Sequence, residues 1–301
     1  MAQQYQLFFV QRFKGKVLFD VPMSRYTSLG IGGPCDVMAF PQDESDLADL
    51  LAFASAKNFP VFPLGRGTNI LVRDKGIRGI VVNMDEGFKE INWADVTAVV
   101  GAGVGLGELL KEAKTRGLGG LEFAVDIPGS VGGAVVTNAG AYGGEMKDVI
   151  EGIEVLNRKG KKGYVAAGEL NFSYRHADVP KDSVIIRAHM RFEKKEPHLI
   201  GEKIKEFRTR RSENSPIRYR SAGSVFKNPP GGFAGRLIEE AGLKGRAAGD
   251  AQVSDVHANY IVNLGGAKAR DVLSLMALIR DMVYKEKGVV LEPEIMVVGE
   301  D

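Results

Sequence analysis

A glycine-dense stretch, residues 127–144, constrains the fold of this chain more than any other segment. It reads Ile-Pro-Gly-Ser-Val-Gly-Gly-Ala-Val-Val-Thr-Asn-Ala-Gly-Ala-Tyr-Gly-Gly, with six glycines within sixteen positions and no charged residue. Glycine loses the most backbone entropy on folding and packs nothing, so this density is costly unless the backbone must approach something closely. A flexible linker would instead be rich in Ser, Pro or charge. The stretch therefore indicates a buried loop whose N–H groups face a flat or anionic ligand.

Composition and charge narrow the class of protein. The 301 residues are 44% hydrophobic and 26% charged, as in a soluble globular protein long enough for two or three domains. Forty basic and thirty-eight acidic side chains give a net charge of +2, so we expect no nucleic-acid partner and no membrane insertion. The apolar run Leu7–Val10 is too short for a signal peptide, and no stretch approaches the ~20 apolar residues of a membrane helix. We therefore expect a cytoplasmic protein.

Cysteine usage excludes several kinds of site. Cys35 is the single cysteine, so the chain can form neither an internal disulfide nor a cysteine-built zinc or iron–sulfur centre. We expect no bound metal.

Helix and strand signals alternate along the chain, which indicates an α/β or α+β fold. Asp43 is placed to cap a helix that runs to about Lys57, and further helices are predicted at 106–116, 200–211, 237–241 and 272–285. Short β-rich runs lie at 61–64, 70–72, 80–83, 97–100, 153–157, 164–166 and 184–192. A final β-type run, Val289–Val298, would place Glu292 and Glu294 on one face of a strand.

Two familiar phosphate-binding motifs are absent from the sequence. Residues 101–107, Gly-Ala-Gly-Val-Gly-Leu-Gly, follow a strand and open a helix, but the third glycine of the Rossmann fingerprint would fall at Leu106 or Glu108. The turn is at least as well explained by tight strand-to-helix packing. No P-loop occurs, so a nucleotide site in this chain must use another architecture.

A second glycine turn lies between two apolar runs at Gly65-Arg66-Gly67-Thr68-Asn69. Arg66 could pair with a diphosphate while backbone amides of the same loop approach it. A turn with Asn also forms without any ligand. Considered with residues 127–144, however, the turn suggests two loops that close on one elongated cofactor.

Two further segments carry side chains suited to catalysis. Ser224 lies in Ser-Ala-Gly-Ser-Val-Phe-Lys-Asn-Pro, where Phe226 breaks the nucleophile-elbow pattern, so proton donation fits better than nucleophilic attack. Arg175 lies in the aromatic and basic cluster 172–176 and could clamp a carboxylate with its planar fork. A solvated arginine beside a stacked tyrosine is an equal alternative from spacing alone.

Taken together, these segments resemble the UDP-N-acetylenolpyruvoylglucosamine reductases, the MurB family of peptidoglycan synthesis. The matching segments, in order, are 27–33, 65–71, 127–143, 173–175, 223–229 and 291–294, and the resemblance covers residues 24–299. It implies an α+β fold, with a two-lobed FAD-binding unit of the vanillyl-alcohol-oxidase (PCMH) type and a C-terminal α/β substrate-binding domain. The implied bounds are 1–86 with the C-terminal strand 289–301 for the first lobe, 87–196 for the second lobe and 197–288 for the substrate domain.

The resemblance also implies roles for individual residues. One wall of a non-covalent FAD site would consist of Arg66, Gly67, Thr68, Asn69 and Leu71. The other would consist of Gly129, Ser130, Val131, Gly132, Gly133, Asn138, Ala139 and Gly140. The catalytic positions would be Arg175, Ser224 and Glu294, and the substrate contacts Tyr142, Lys227 and Asn228. Arg208, Arg210 and Arg211 are weaker candidates for the UDP phosphates, since a solvated helix face explains them better, and the roles of His257 and Asn259 stay open.

The activity implied by the resemblance is reduction of the enolpyruvyl group of UDP-N-acetylglucosamine enolpyruvate to UDP-N-acetylmuramate, with NADPH reducing FAD first. The loop Gly-Arg-Gly-Thr-Asn departs mildly from the commoner Gly-Gly-Gly-Ser-Asn. The chain is too short between Arg175 and Ser224 for the tyrosine-bearing lid of one subtype, and we expect a monomer of the shorter subtype. The alternatives are an FAD-linked alcohol or sugar oxidase or dehydrogenase of the same fold and a non-catalytic sensor of nucleotide sugars.

Overall fold

The structure, a computed structural model, describes residues 8–216 and 218–301. They divide into two compact units. The first unit contains residues 8–19, 37–66 and 79–210, and the second contains 20–36, 67–78, 211–216 and 218–301. Residues 1–7, which belong to the first predicted lobe, lie outside the described residues. The predicted three-part division of the chain stays a prediction.

The α-helices are, in chain order, α1 (Glu44–Ala56), α2 (Leu106–Thr115), α3 (Val131–Val136), α4 (Pro197–Asn214), α5 (Ala234–Glu240) and α6 (Ala269–Lys287). Short 3-10 turns lie at Met23–Arg25, Glu122–Ala124, Met146–Asp148 and Ala167–Leu170. Among the described helices, none combines the length and the apolar character that crossing a membrane would require.

The strands of the first half are β1 (Lys16–Pro22), β2 (Pro34–Phe40), β3 (Val61–Leu64), β4 (Ile70–Val72), β5 (Ile77–Asn83), β6 (Ile91–Ala94), β7 (Thr97–Gly101), β8 (Leu118–Gly119), β9 (Gly140–Ala141) and β10 (Gly144–Glu145). Those of the second half are β11 (Ile150–Asn157), β12 (Lys162–Ala166), β13 (Ser183–Arg191), β14 (Glu193–Lys194), β15 (Arg220–Ser224), β16 (Ala247–Ala248), β17 (Ala251–Val253), β18 (Tyr260–Asn263) and β19 (Met296–Val298). A four-stranded sheet has the order β1-β2-β5-β3.

The first unit is built on a five-stranded sheet of order β12-β11-β13-β7-β6, in which neighbouring strands are antiparallel. The short helix α3, which lies within the glycine-dense stretch, packs against β13 and β7 of this sheet. The predicted helix after Asp43 is confirmed as α1: the Asp43 carboxylate accepts the N–H of Asp46 at 2.8 Å. Its apolar face is buried in the core of this unit, with Leu47, Leu50, Leu51 and Ala54.

The second unit is built on an antiparallel sheet of order β15-β18-β17-β16, against which α6 packs. The predicted periodicity of α6 is confirmed, because its buried residues Val272, Leu275, Met276, Ile279 and Val283 recur at helical spacing and enter the core of this unit. The helix ends at Gly288 with φ +67°. Separately, β4 and β19 pair in parallel, Ile70 opposite Met296.

The predicted C-terminal strand is too long. Only Met296–Val298 is a strand, and Glu292 and Glu294 lie outside it, so they do not share a strand face. Pro293 cannot donate to a β ladder, and the N–H of Glu294 bonds the Val225 carbonyl at 2.8 Å instead. The chain is therefore turned toward Ser224 before it joins β4.

Candidate active site

The glycine-dense stretch is held by hydrogen bonds to the glycine turn at 101–107. The N–H of Val131 donates to the Val104 carbonyl and that of Gly132 to the Ala102 carbonyl, both at 2.9 Å. A Cβ built at Gly132 would lie 3.0 Å from the Cβ of Ala102. The turn at 101–107 is therefore a tight strand-to-helix connection that packs against the glycine-dense stretch. This is one of the two explanations that the sequence allowed.

A cavity of about 110 Å³ lies within the first unit beside this loop. Its lining includes Gly65, Ser130, Gly132 and Gly133 of the two glycine loops. The rest of the lining is mainly apolar: Pro63, Leu64, Met84, Ala102, Val136, Val179, Ser183, Val184 and Ile185. A Cβ built at Gly65 would lie 2.5 Å from Ser130 Oγ, so even one methyl group would narrow the space. Gly65 and Ser130 thus belong to one lining.

This lining fits part of FAD. Ligand pockets usually measure ~300–1,000 Å³, so the cavity would take one portion of the molecule. The Ser130 hydroxyl and the close backbone approach that the glycines of the lining allow suit a diphosphate, and the apolar lining residues suit a flat ring. Cys35 is fully buried, and burial raises the pKa of its thiol to about 11, so this thiol is not set up to hold flavin covalently.

Arg66 lies at the edge of the first unit's glycine turn. Its Nε lies 3.1 Å from Asp85 Oδ1, a carboxylate that Lys89 also contacts at 3.1 Å. A Cβ at Gly105 would meet the Arg66 guanidinium at 2.7–3.0 Å. The guanidinium is therefore oriented by Asp85 and by the absence of a side chain at Gly105.

Residues 67–71 continue this loop in the second unit. Gly67 has φ +61°, and a Cβ there would lie 2.0 Å from the Tyr26 carbonyl oxygen, so only glycine fits. Asn69 Nδ2 donates to the Glu294 carbonyl at 3.2 Å, and the N–H of Met296 donates to the Asn69 carbonyl at 3.0 Å. The side chain of Leu71 is fully buried in the core of this unit, so any contact it makes with a ligand would be through its backbone.

Ser224 and Glu294, both predicted to be catalytic, lie close together in the second unit. Ser224 ends β15 opposite Tyr260 of β18. The N–H of Glu294 donates to the carbonyl of Val225, the residue after Ser224, at 2.8 Å. Phe226 and Pro293 form an antiparallel bridge next to this bond. The Asn69 bond to Glu294 adds the glycine turn to the same cluster.

Asn259 has a clear role, which the sequence left open. Its amide is buried, and it pairs with both backbone groups of Phe226: Oδ1 accepts the N–H at 3.0 Å and Nδ2 donates to the carbonyl at 2.8 Å. The N–H of Asn259 itself donates to His257 Nδ1 at 3.2 Å, and burial lowers the pKa of His257. Asn259 therefore fixes the backbone that follows Ser224.

Lys227 and Asn228, the predicted substrate contacts of the second unit, directly follow Phe226, whose backbone Asn259 holds. Lys227 Nζ is 3.8 Å from Glu292 Oε2, and the Lys227 N–H donates to the Glu292 carbonyl at 2.8 Å. Asn228 Oδ1 accepts the N–H of Ala234 at 3.0 Å, at the start of α5. Both side chains are thus anchored at one end of the Ser224 loop.

Arg175 lies in a tight turn of the first unit. Ser173 and His176 exchange backbone hydrogen bonds of 3.0 and 3.2 Å across the turn, and Arg175 has φ +60°. Its Nη2 donates to the Gly140 carbonyl at 2.9 Å, and its guanidinium lies 5.0 Å from the centre of the Tyr174 ring. Arg175, the predicted catalytic arginine, is therefore hydrogen-bonded to the glycine-dense stretch. It also lies beside a tyrosine, as the alternative interpretation of this cluster predicted.

Helix α4 contacts Tyr142 near the end of the glycine-dense stretch and Asp126 just before its start. The Tyr142 ring stacks on Phe207 with centroids 4.4 Å apart and planes 11° apart. The guanidinium of Arg208 binds the Asp126 carboxylate through two bonds of 2.8 and 3.1 Å, and these bonds raise the pKa of Arg208. Arg210 pairs with Glu206 at 2.8 Å. Arg208 and Arg210 are exposed and already paired within the protein, and no role for Arg211 follows from its surroundings.

The predicted site residues thus form two groups. Arg66, residues 129–140, Tyr142 and Arg175 lie in the first unit, and residues 67–71, Ser224, Lys227, Asn228 and Glu294 lie in the second. Within the described residues, no cluster of His, Cys, Asp and Glu could hold a metal ion.

Comparison with known proteins identifies the family. Residues 35–162 match the FAD binding domain family, and residues 215–298 match the family described as UDP-N-acetylenolpyruvoylglucosamine reductase, C-terminal domain. These matches confirm the predicted fold class, an α+β FAD-binding unit followed by a C-terminal domain.

Relatives of this kind match nearly the whole chain. The UDP-N-acetylenolpyruvoylglucosamine reductase of Rubrobacter xylanophilus is 45% identical over 293 residues, covering 97% of this chain and 98% of the relative. That of Alkaliphilus oremlandii is 43% identical over 286 residues, covering 95% and 94%. The crystal structure of UDP-N-acetylenolpyruvylglucosamine reductase (MurB) from Thermus caldophilus superposes with a TM-score of 0.82 at 36% identity, covering 95% of this chain and 99% of that one. The chain therefore belongs to the UDP-N-acetylenolpyruvoylglucosamine reductase (MurB) family.

Proposed function

We propose that this chain is an FAD-dependent oxidoreductase that uses NADPH to reduce the enolpyruvyl group of UDP-N-acetylglucosamine enolpyruvate. The product is UDP-N-acetylmuramate, a precursor for peptidoglycan. The observation that carries the proposal is the match along nearly the whole chain to reductases of that name, at 45% identity over 97% of its length. The juxtaposition of Ser224 and Glu294 adds support from the chain's own geometry.

FAD would be held without a covalent bond by the two glycine loops. The first-unit residues for this role are Arg66, Gly129, Ser130, Val131, Gly132, Gly133, Asn138, Ala139 and Gly140, and the second-unit residues are Gly67, Thr68, Asn69 and Leu71. The cavity beside Gly65 and Ser130 supports the assignment, because residues of both glycine loops line it. When bound there, FAD would supply the redox chemistry, the transfer of two electrons from NADPH to the enolpyruvyl double bond.

Arg175 would stabilise the charge that develops during reduction. The enolpyruvyl double bond is conjugated to a carboxylate, so negative charge grows on the carboxylate side as the terminal carbon is reduced. A guanidinium held in place before reaction stabilises that charge more than a mobile one would. The hydrogen bond from Nη2 to the Gly140 carbonyl and the tight turn at 173–176 provide this restraint.

Ser224 would complete the reaction as proton donor. The carbon next to the carboxylate must take a proton once the terminal carbon has been reduced, and a hydroxyl group can supply it. Glu294 would support the same intermediate by positioning a donor or a water molecule. The backbone bond from Glu294 to Val225 and the Asn259 lock on Phe226 support this pairing, since they fix the chain on both sides of Val225. Tyr142, Lys227 and Asn228 would contact the sugar nucleotide.

The cellular setting is part of the same proposal. The enzyme would work in the cytoplasm, where NADPH and UDP-sugars are made, and as a monomer, because one chain supplies every residue proposed for the site. Light scattering of the purified protein at micromolar concentration checks the monomer, and a mass near the 32.6 kDa of one chain is expected.

A two-step anaerobic titration tests the function. The purified protein should be yellow, should bleach with NADPH, and should recover its colour when the enolpyruvyl sugar nucleotide is added. A colourless protein that cannot be reconstituted with FAD would contradict the proposal. Reduction by an alcohol or sugar, with reoxidation only by oxygen, would identify an oxidase of the same fold instead.

A further inference from the structure

Asn138, a residue of the glycine-dense stretch, has a fully buried side chain. Its backbone has φ +41°, a conformation that Asn tolerates better than most residues. Its Nδ2 donates to Glu145 Oε2 at 2.7 Å and to the Ser173 carbonyl at 3.0 Å, and its Oδ1 accepts the N–H of Lys147 at 3.0 Å. A side-chain amide has two N–H donors, and both are used inside the protein.

These bonds lead directly to Arg175. Ser173 begins the tight turn that carries Arg175, and its carbonyl is the acceptor of the Asn138 amide. Gly140, two residues after Asn138, accepts a hydrogen bond from Arg175 Nη2 at 2.9 Å. The segment 138–140 therefore holds both the backbone turn and the charged head of Arg175.

Glu145 sets the orientation of the Asn138 amide. A carboxylate only accepts hydrogen bonds and a backbone N–H only donates them, so Glu145 and the N–H of Lys147 together decide which end of the amide faces Ser173. Glu145 is itself held by an ion pair with Lys147 Nζ, and its N–H donates to Asp148 Oδ2 at 2.8 Å. The amide nitrogen is thereby directed at the Ser173 carbonyl.

We infer that Asn138 is a positioning residue for the guanidinium of Arg175, oriented by Glu145, and that its side chain does not serve as a ligand of FAD. The inference rests on the proposed function, because that function gives Arg175 its role in the reduction. Any contact of position 138 with FAD is made by the backbone. Glu145 thereby becomes part of the site, although neither its type nor its spacing marks it in the sequence.

The substitution N138D tests this with a change of one atom type. It keeps the shape and the acceptor for the Lys147 N–H, removes both donors, and places two carboxylates side by side. The free energy lost with hydrogen bonds of this kind corresponds to a change in rate of about 10- to 100-fold. Reoxidation of the reduced enzyme by the enolpyruvyl sugar nucleotide should therefore slow by about 10- to 100-fold. Bleaching by NADPH and the Kd for FAD should each stay within about threefold.

Asn171 offers a matched control in the same unit. It has φ +39° and donates from Nδ2 to the Asp178 carboxylate at 3.1 Å and to the Glu169 carbonyl at 3.4 Å, so N171D makes the same chemical change at the same backbone conformation. Asn171 is exposed, and its amide bonds neither Ser173 nor the Arg175 guanidinium. Its acceptor Asp178 also contacts the exposed His176 side chain at 2.8 Å, so N171D additionally controls for the loss of an exposed contact to the turn. N171D should leave both half-reactions unchanged.

Two further readouts separate positioning from general damage. N138D combined with R175K should be little slower than R175K alone, because the two changes act through one guanidinium. In the FAD-free protein, nitrogen NMR of the Arg175 guanidinium should report faster motion in N138D than in wild type or N171D. If N138D fails to fold, E145Q provides the test, with a smaller slowing confined to the same half-reaction.

The outcomes are distinct. Normal reoxidation in N138D, or a rate penalty that multiplies independently with R175K, would overturn the inference. A weakened Kd for FAD with normal reoxidation would show that the Asn138 side chain is a cofactor ligand after all. A wild-type enzyme that the sugar nucleotide does not reoxidise would overturn the proposed function instead.

Discussion

At the scale of single residues, Ser224 is the side chain on which the proposed chemistry depends most directly. S224A should leave reduction by NADPH intact and slow reoxidation by the enolpyruvyl substrate about 100- to 10,000-fold, the usual range for loss of a general acid. Stopped-flow absorbance of the flavin under anaerobic conditions measures both steps. S221A, on the same strand, is the matched control and should change neither step. Equal loss of both half-reactions in S224A would contradict its role as proton donor.

Asn259 supports the backbone that follows Ser224 and would take no part in the reaction itself. N259D removes the donor to the Phe226 carbonyl and buries a charge, so the free energy of unfolding should fall by about 1–3 kcal/mol or more. Reoxidation should slow as well, because the backbone that carries Ser224 loses its restraint. Urea unfolding followed by circular dichroism measures the first effect. An unchanged unfolding midpoint would mean that the two-way bond with Phe226 contributes nothing.

The residue scale also marks the limit of prediction from sequence. The type of Ser224 and its neighbours indicated chemistry, and the resemblance selected Arg175 and Glu294. Asn138 and Asn259 differ: each bonds a backbone group 35 or 33 residues away, and no local pattern encodes such a partner. Leu71 is implied to line the FAD site, and since its side chain is fully buried in the core of the second unit, that role would fall to its backbone.

At the scale of elements, helix α4 connects two features that are far apart in sequence. Phe207 stacks on Tyr142 at the end of the glycine-dense stretch, and Arg208 binds Asp126 just before its beginning. From sequence, a solvated helix face explained the arginines of this helix better than phosphate binding, and in the structure the exposed Arg208 pairs with Asp126. Periodicity in the sequence predicted the helices and most strands, but it predicted a C-terminal strand that is longer than the one in the structure. Its first half is diverted by Pro293 and by the bond from Glu294 to Val225.

The aromatic pair makes a prediction at this scale. F207L keeps most of the buried apolar volume but removes the stacked ring, and such pairs are worth about 0.5–1.5 kcal/mol. If Tyr142 contacts the sugar nucleotide, KM for that substrate should rise about 2- to 10-fold while KM for NADPH changes less. K205Q, an exposed position on the same helix, is the control and should change neither constant. Steady-state kinetics with each substrate varied in turn provides the measurement, and an unchanged KM would remove the stack from substrate binding.

At the scale of the whole molecule, the order of motifs along the chain was sufficient to predict the family, the cofactor and the fold class. The predicted three-part division stays a prediction, and the change from one compact unit to the other falls inside β1, β2, β5 and α4, where composition does not change. The glycine turn itself divides after Arg66. Because helices and strands run across these boundaries, the division is defined only by contacts between residues that are distant in sequence.

A cluster of charged side chains in the first unit makes global stability depend on acid pH. Glu154 of β11 lies 2.8 Å from Lys162 Nζ and 3.0 Å from both Arg187 Nη1 and His189 Nε2. Burial alone would raise the pKa of Glu154, but the hydrogen bonds from these three groups outweigh it and lower the pKa from 4.5 to about 2. The folded protein therefore holds this proton more weakly than the unfolded chain does.

Stability from Glu154 should accordingly be present above about pH 4.5 and be lost as pH falls toward 2. E154Q should lower the free energy of unfolding at pH 7 by about 1–3 kcal/mol, and the difference from wild type should shrink to near zero at about pH 2. E151Q, at a half-exposed position on the same strand whose carboxylate pairs with Arg191, is the control and should shift stability by less than about 1 kcal/mol at any pH. Urea unfolding of the three proteins between pH 7 and pH 2 measures these differences. A penalty for E154Q that stayed constant down to pH 2 would assign the effect to packing and not to the charge.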